Sequence, residues 1–444
     1  MGRCAVSTQK QKRPFALRAL AAFAGTLAIL FVLLLAAYAL PGERVRQHVY
    51  DSARTIQNEG LYPEYLGFKL FQMDNYTDTL MLFEAASADE LPPLQAMMTN
   101  TAYNVDNFET LADDLAWYIE KDWSTGAQRT DAPALEPFSY ARYWHGYLIW
   151  LRPLLLLMPY TGVRIVQYIV LFALLAVVLV QLRRRCGLRA AVWFAVSQLA
   201  VSVWFVPHQV QYFTCFMIAY AGCAWVLAKP RRSDVLCLGL LVLGTATAFC
   251  DLLVTPIITL GLPLTCWLLE PQQRLRGGVP QCALAVGGSL CWGTGYALCW
   301  AGKWALAGAV TNNNVLADAL HQAEVRTTAD TWHGMELTWR NIFIFLYDTL
   351  NGHHLFWPAL AVLAVLIALF ILSIRSKTAL VRALPLALTT CMTPAWFVLL
   401  RTHSIQHGWF TWRALGLTVF AGLAFLYYAC DLRAARRRLQ KGSI

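Results

Sequence analysis

Residues 15–40 read FALRALAAFAGTLAILFVLLLAAYAL, a run in which Arg18 is the only charged side chain. At 1.5 Å of rise per residue, about 20 apolar residues cross a hydrocarbon core roughly 30 Å thick, so this run is long enough to span a bilayer as a helix. It is too long for the apolar core of a secretion signal, and Pro41, Gly42 and Glu43 behind it form no small-residue cleavage site. The run therefore reads as a retained span, 17–40. Nine further apolar runs follow at 162–182, 189–206, 209–228, 235–250, 252–269, 280–302, 355–374, 380–400 and 412–430. The expected fold is all-α, a polytopic membrane helix bundle of about ten transmembrane helices, with residues 1–444 forming a single integral membrane domain.

Composition agrees with this reading. Of the 444 residues 58% are hydrophobic and 14% charged, where about 25% charged is usual in a soluble domain. A soluble fold of this length has too little interior to hide that much apolar surface, which excludes a soluble enzyme. The net charge of +10 does not call for a nucleic-acid partner, because the basic residues stand in short clusters between the apolar runs.

Those clusters orient the chain. With both termini in the cytoplasm, 22 of the 36 Lys and Arg fall inside, before the first span, at 183–189, 229–232, 274–276 and 375–382, and in the tail. Only Asp234, Glu270 and Asp431 join them, so 23 of the 26 acids face outward. That is the positive-inside bias of one orientation and not of its reverse.

Two outer segments result. The first, 41–136, carries 17 acids, 6 bases and no cysteine; the second is 303–354, with a polar stretch over 311–340. The 12 cysteines fall in spans or at their cytoplasmic ends, which leaves the outer segments without disulfides and the chain without cysteine-based metal spacings. Apolar residues at helical spacing over 66–83 and 108–119 predict helices lying along the membrane surface. There is no internal repeat, low-complexity tract or interdomain linker.

On this topology all nine histidines are outside: His48, His145, His208, His321, His333, His353, His354, His403 and His407. Solvated loops hold more polar residues in any case, but charges beside apolar runs are costly and are usually kept for a partner or ligand. They cluster on the same face. Arg142 and His145 lie in Tyr140-Ala-Arg-Tyr-Trp-His-Gly with Arg152 close behind, Asp251 sits between two spans, and Lys303 ends the seventh. Arg401, His403, His407 and Arg413 share the segment Arg401-Thr-His-Ser-Ile-Gln-His-Gly-Trp-Phe-Thr-Trp-Arg413. Snorkelling to the headgroups accounts for individual members of this set more readily than for the whole.

Asp74 and Asp78 lie in Met73-Asp-Asn-Tyr-Thr-Asp-Thr-Leu, four apart and so on one face of a helix. A carboxylate held there beside cations can act as a base; alternatively, an Asp in Asp-Asn-Tyr-Thr caps a helix. Asn75-Tyr-Thr77 matches a glycosylation sequon, a triplet common by chance. His403 and His407 have the spacing of metal ligands but lack a third, so no metal and no cofactor is expected. Phosphate-binding glycine loops and a Gly-x-Ser-x-Gly elbow are absent.

One amino-terminal span, a large outer loop with an early acid, surface helices and a bundle with outer-face cations together resemble the GT-C superfamily of integral membrane glycosyltransferases. The segments at 142–145 and 403–413 are similar to those of bacterial membrane proteins of this type. The resemblance implies inverting transfer from a polyprenyl-phosphate-linked sugar donor to a cell-envelope glycan or lipid-linked acceptor, on the extracytoplasmic face of a bacterial cytoplasmic membrane. It implies Asp74 as general base, with Asp78 second, although the chain lacks the adjacent acids common at the start of that loop. The donor phosphate is expected against Arg401, His403, His407 and Arg413, with Arg142, His145 and Lys303 as a second set. The rival readings are a transporter or flippase of a lipid or anionic solute and an O-antigen ligase- or polymerase-like enzyme. Transporter sites usually lie near the bilayer midplane, often with internal repeats, and ligases usually carry their large outer loop late in the chain.

Overall fold

A computed structural model describes residues 14–88, 90–104, 136–276, 278–328, 331–332 and 335–431. Within them the chain forms nineteen α-helices, with two short two-stranded antiparallel ribbons, Thr101–Asn104 with Glu136–Ser139 and Thr331–Trp332 with Met335–Glu336. Eight helices are long and apolar enough to cross a membrane: Phe15–Tyr38, Tyr160–Arg185, Val210–Ala228, Ser233–Cys250, Gly278–Thr311, Phe356–Ser373, Lys377–Leu399 and the stretch Gly408–Ala429.

Two of the ten expected runs form shorter helices. Leu188–Ala200 has 13 residues and ends where Ser202 takes a left-handed conformation and Val203–His208, with Pro207 inside, winds as a 3-10 turn. Ile257–Leu268 has 12 residues, all buried, after a non-helical turn that begins at Asp251. At roughly 18–20 Å neither crosses a bilayer alone. The seventh run is longer than expected: Gly278–Thr311 has 34 residues and carries Lys303 inside the helix.

The first outer segment also differs from expectation. Pro41 and Gly42 end the first span, and an amphipathic helix, Glu43–Glu59, buries Val45, Val49, Ser52, Ala53 and Ile56 along one stripe. Residues 66–83 are not one surface helix. Leu66 and Gly67 have positive φ (57° and 63°), which breaks the helical path into 3-10 turns, and the helix proper is Asn75–Ser87. Ten of its 13 residues are buried, so it lies inside the fold and not on the bilayer. Residues 108–119 lie outside the described residues.

Helices Ser233–Cys250 and Gly278–Thr311 interlock through glycine. A Cβ on Gly244 would stand 2.1 Å from the Trp292 carbonyl oxygen, and one on Gly295 2.2 Å from that of Leu241, so only glycine permits this approach. Gly244→Ala is expected to cost about 1–3 kcal/mol and to lower the thermal unfolding midpoint. Gly287→Ala, where nothing lies within 4 Å of the added carbon, should leave the midpoint unchanged.

Candidate active site

The segment from Gly60 to Asp74 closes on itself before the helix begins. Gly60, at φ 83°, ends helix Glu43–Glu59, and the Met73 and Asn75 N–H groups donate to the Pro63 and Leu61 carbonyls at 3.0 and 2.9 Å. Asp74 then caps helix Asn75–Ser87: its Oδ1 accepts the Thr77 N–H at 3.0 Å and its Oδ2 the Thr77 hydroxyl at 2.7 Å. From helix Val210–Ala228 and the residue before it come two glutamines. Gln211 Nε2 donates to Asp74 Oδ2 at 2.7 Å, and the Asp74 N–H donates to Gln209 Oε1 at 2.7 Å. Burial raises the Asp74 carboxyl above the ordinary carboxylate range, against the opposing pull of the Thr77 and Gln211 donors.

Behind Asp74 a half-buried ion pair fixes the loop. Arg164 grips Glu59 with two bonds of 2.5 and 2.9 Å and lies over the Tyr160 ring at 4.4 Å. Burial alone would raise Glu59, but His208, 3.8 Å away, and the paired Arg164 guanidinium outweigh it and hold the group at about 2. Asn75 joins this pair: its Nδ2 donates to Glu59 Oε2 at 3.1 Å and to the Gly60 carbonyl at 2.7 Å. Asn75 is fully buried, which leaves the sequon triplet no exposed acceptor nitrogen in the folded chain.

Asp74 lines a cleft of about 400 Å³, within the usual range for small-molecule sites. Tyr62, Tyr76, Tyr140, Tyr143, Trp409 and Phe410 form its aromatic walls, and His403, His407, Gln211, Gln406 and Arg326 are among its polar groups. Such a lining suits a sugar, whose CH faces pack on rings while its hydroxyls meet donors and acceptors. The cleft shares Tyr143 and Arg326 with a neighbouring slot of about 130 Å³. That slot is lined by Leu253, Tyr296, Trp300, Trp304, Trp396 and Leu400, with Arg142 beside Arg326. Three of its rings form a ladder along one helix, where Tyr296 to Trp300 and Trp300 to Trp304 are 5.0 and 5.9 Å apart. The i, i+4 spacing sets that order.

His403 Nε2 lies 3.0 Å from the Leu253 carbonyl, to which it donates, which leaves Nδ1 as an acceptor with no partner among the described residues. The turn that presents Leu253 is shaped by Asp251, which accepts the Val254 N–H at 3.1 and 3.3 Å. Burial, with the charge of Arg326 and, for His403, of His407 in support, lowers both imidazoles, His407 to about 4 and His403 well below its ordinary value. At neutral pH both are uncharged and serve as hydrogen-bonding groups, not as cations.

The other expected site residues are placed elsewhere. Asp78 is fully buried and does not line the cleft; it accepts from the Tyr160 hydroxyl and, at 3.4 and 3.5 Å, from the Val210 and Gln211 N–H groups at a helix start. Burial, with the charge of Asp74 adding to it and that of Arg164 opposing, raises its carboxyl well above the ordinary range. Arg413 is 1% exposed, stacks on Tyr212 at 4.5 Å and reaches the Leu70 and Gln72 carbonyls at 3.4 and 3.5 Å. It braces the loop before Asp74 from outside the cleft. Arg401 stacks on Trp339 at 5.7 Å and is not a lining residue.

The expected second set divides. Arg142 lines the slot, stacked on Tyr140 at 4.5 Å and paired with Asp318 at 3.3 Å. His145 and Lys303 instead belong to a buried junction. His145 Nδ1 meets Glu84 Oε2 at 2.7 Å, and Lys303 Nζ donates to the Met97 carbonyl at 2.7 Å and to Asn100 Oδ1 at 2.6 Å. The ammonium is fully buried among these acceptors, so it answers to the fold and not to a ligand. Sequence reasoning missed Arg326, Gln209, Gln211 and Glu59. Among the described residues, no group of three or more His, Cys, Asp or Glu side chains is placed to hold a metal. No family model matches the chain, and neither does any curated protein or solved structure.

Proposed function

We propose that this chain is an inverting membrane glycosyltransferase that moves a sugar from a polyprenyl-phosphate donor to a glycan or lipid-linked acceptor on the extracytoplasmic face. The observation that carries the reading is the pairing of two cavities. A polar cleft holding a buried carboxylate shares Tyr143 and Arg326 with an apolar aromatic slot. A lipid-linked sugar has the same three parts in the same order: sugar, phosphate, hydrocarbon. Asp74 takes the proton of the acceptor hydroxyl as its oxygen bonds to the anomeric carbon from the face opposite the phosphate. The carbon–oxygen bond to phosphate breaks, and the phosphate leaves with the electron pair. Arg326 and Arg142 compensate its charge at the boundary of the two cavities, and the slot takes the first part of the prenyl chain. The charge belongs to these two arginines because His403 and His407 are neutral.

The test is the release of undecaprenyl phosphate from undecaprenyl-phosphate hexoses by the purified full chain, with and without crude envelope glycan as acceptor. Glycan-dependent release supports the reading; release of nothing from any hexose or pentose donor, with tight binding of an anionic solute instead, supports a transporter. The orientation is tested separately. Reporter fusions after residues 130, 186 and 330 should read outside, inside and outside, and a cytoplasmic signal at 130 would put the cleft on the wrong side for this donor.

A further inference from the structure

A second polar cavity, of about 250 Å³, opens at the other end of the bundle. Helix Lys377–Leu399 links the two ends: Leu400, just after its C-terminal end, lines the aromatic slot, whereas Arg382, near its start, lines this cavity. Three arginines from different parts of the chain converge here, Arg274, Arg375 and Arg382, with Gln273, Gln281 and Tyr428. Among the described residues no carboxylate lines it. Glu270, the acid nearest in sequence to Arg274, is paired with Arg185 at 2.6 Å.

The frame is rigid. A Cβ on Gly278 would stand 1.6 Å from the Val381 carbonyl oxygen, so the starts of two helices touch beside the cavity. The Arg375 N–H donates to the Ala429 carbonyl at 3.0 Å and the Asp431 N–H to that of Ser373 at 2.7 Å, which ties the turn holding Arg375 to the end of helix Leu415–Ala429. Inside, Gln281 Nε2 donates to Gln273 Oε1 at 2.9 Å, and Arg274 reaches the Tyr428 hydroxyl at 2.6 Å. The buried Nε of Arg274 has no hydrogen-bond partner among the described residues. Snorkelling arginines at a membrane end ordinarily spread apart toward headgroups. Three that line one cavity, with a buried donor left open and no carboxylate among the described lining residues, repel one another, and an anion entering the cavity would relieve that repulsion.

We infer that this cavity binds a phosphate oxyanion between Arg274, Arg375 and Arg382, as a site separate from the cleft of Asp74. Guanidinium groups grip phosphate oxygens in a forked geometry, and basic pockets between membrane helices take anionic headgroups in this way. The same chemistry fits an anionic phospholipid headgroup or free phosphate.

The experiment measures thermal unfolding of the purified full chain in nonionic detergent. It is titrated with dioleoyl phosphatidylglycerol, with dioleoyl phosphatidylcholine, or with inorganic phosphate at constant ionic strength. Saturable stabilisation by phosphatidylglycerol alone identifies a lipid headgroup, by inorganic phosphate as well or alone a phosphate site open to water; each supports the inference. Arg382→Gln and Arg375→Gln, both at exposed positions, should each weaken that binding about tenfold. Arg276→Gln, exposed at the same end but outside the cavity, should not. The inference is overturned if no phosphate ligand stabilises the chain, if phosphatidylcholine does so equally, or if Arg276→Gln weakens binding as much as the lining variants do.

Discussion

Asp74→Asn should lower sugar transfer by about 10²-fold or more while the protein stays folded. The amide keeps the size of the side chain and removes the charge that accepts the proton. Asparagine caps a helix about as well as aspartate, so the Thr77 N–H keeps its acceptor and helix Asn75–Ser87 keeps its start. Activity and stability therefore separate at this position. Asp78→Asn should behave in the opposite way, because its carboxylate meets Tyr160 and two helix N–H groups away from the cleft. Its first effect is a lower unfolding midpoint, with activity falling only as folded protein is lost.

The raised Asp74 carboxyl gives the same prediction a pH signature. Only the ionised form accepts a proton, so kcat/KM should climb as pH rises through a value above the ordinary Asp figure of about 3.9. The stability effect has the other sign. A group that holds its proton more tightly in the folded state favours folding at low pH, and that contribution is lost as pH rises through the folded value. Asp74→Asn should thus be no less stable than wild type at neutral pH. Wild-type transfer by Asp74→Asn would place the proton acceptor elsewhere, and His403 Nδ1 would be the next group to test.

The lipid-facing helices were legible in the sequence because a span such as Phe15–Tyr38 must be apolar on every side. The same logic misleads in the interior. Val201, Val203, Val206 and Leu253 are apolar because they are buried, not because they are helical, so two short helices with irregular extensions looked like full spans. Helix Glu43–Glu59 carries its apolar residues as a narrow stripe among charged ones, which a search for long apolar runs does not detect. Within the site, Asp-x-x-Thr announced a cap, and Asp74 does line the cleft with His403 and His407. Lys303 was misplaced because most of its acceptors are backbone carbonyls, which have no signature in a sequence. Arg326 sits in an ordinary polar helix, Val315–Thr328, and only the fold sets it between two cavities.

Arg326 and Arg413 offer the second large effect, because charge alone would make them equivalent and their surroundings do not. Among the described residues no carboxylate pairs with Arg326, and its nearest acceptors, both on Gln322, are at 3.5 Å, so its guanidinium is available at the mouth of the slot. Arg413 is enclosed by Tyr212, Trp412 and the carbonyls of the loop that leads to Asp74. Arg326→Gln should therefore lower kcat/KM by about 10- to 100-fold and weaken binding of undecaprenyl phosphate, with little change in the unfolding midpoint. Arg326→Lys, which keeps the charge but loses the fork, should fall between. A second readout isolates the electrostatic effect. Burial is the main reason that His407 titrates at about 4, and the Arg326 charge adds to it, so Arg326→Gln should raise that value by NMR. Arg413→Lys should do the reverse: a compact ammonium cannot stack on Tyr212 and reach Leu70 together, so the midpoint falls while phosphate-lipid affinity in the folded protein is retained. If Arg413→Lys instead weakens lipid binding at an unchanged midpoint and Arg326→Gln does not, the phosphate belongs beside Tyr212 and the slot is a packing gap.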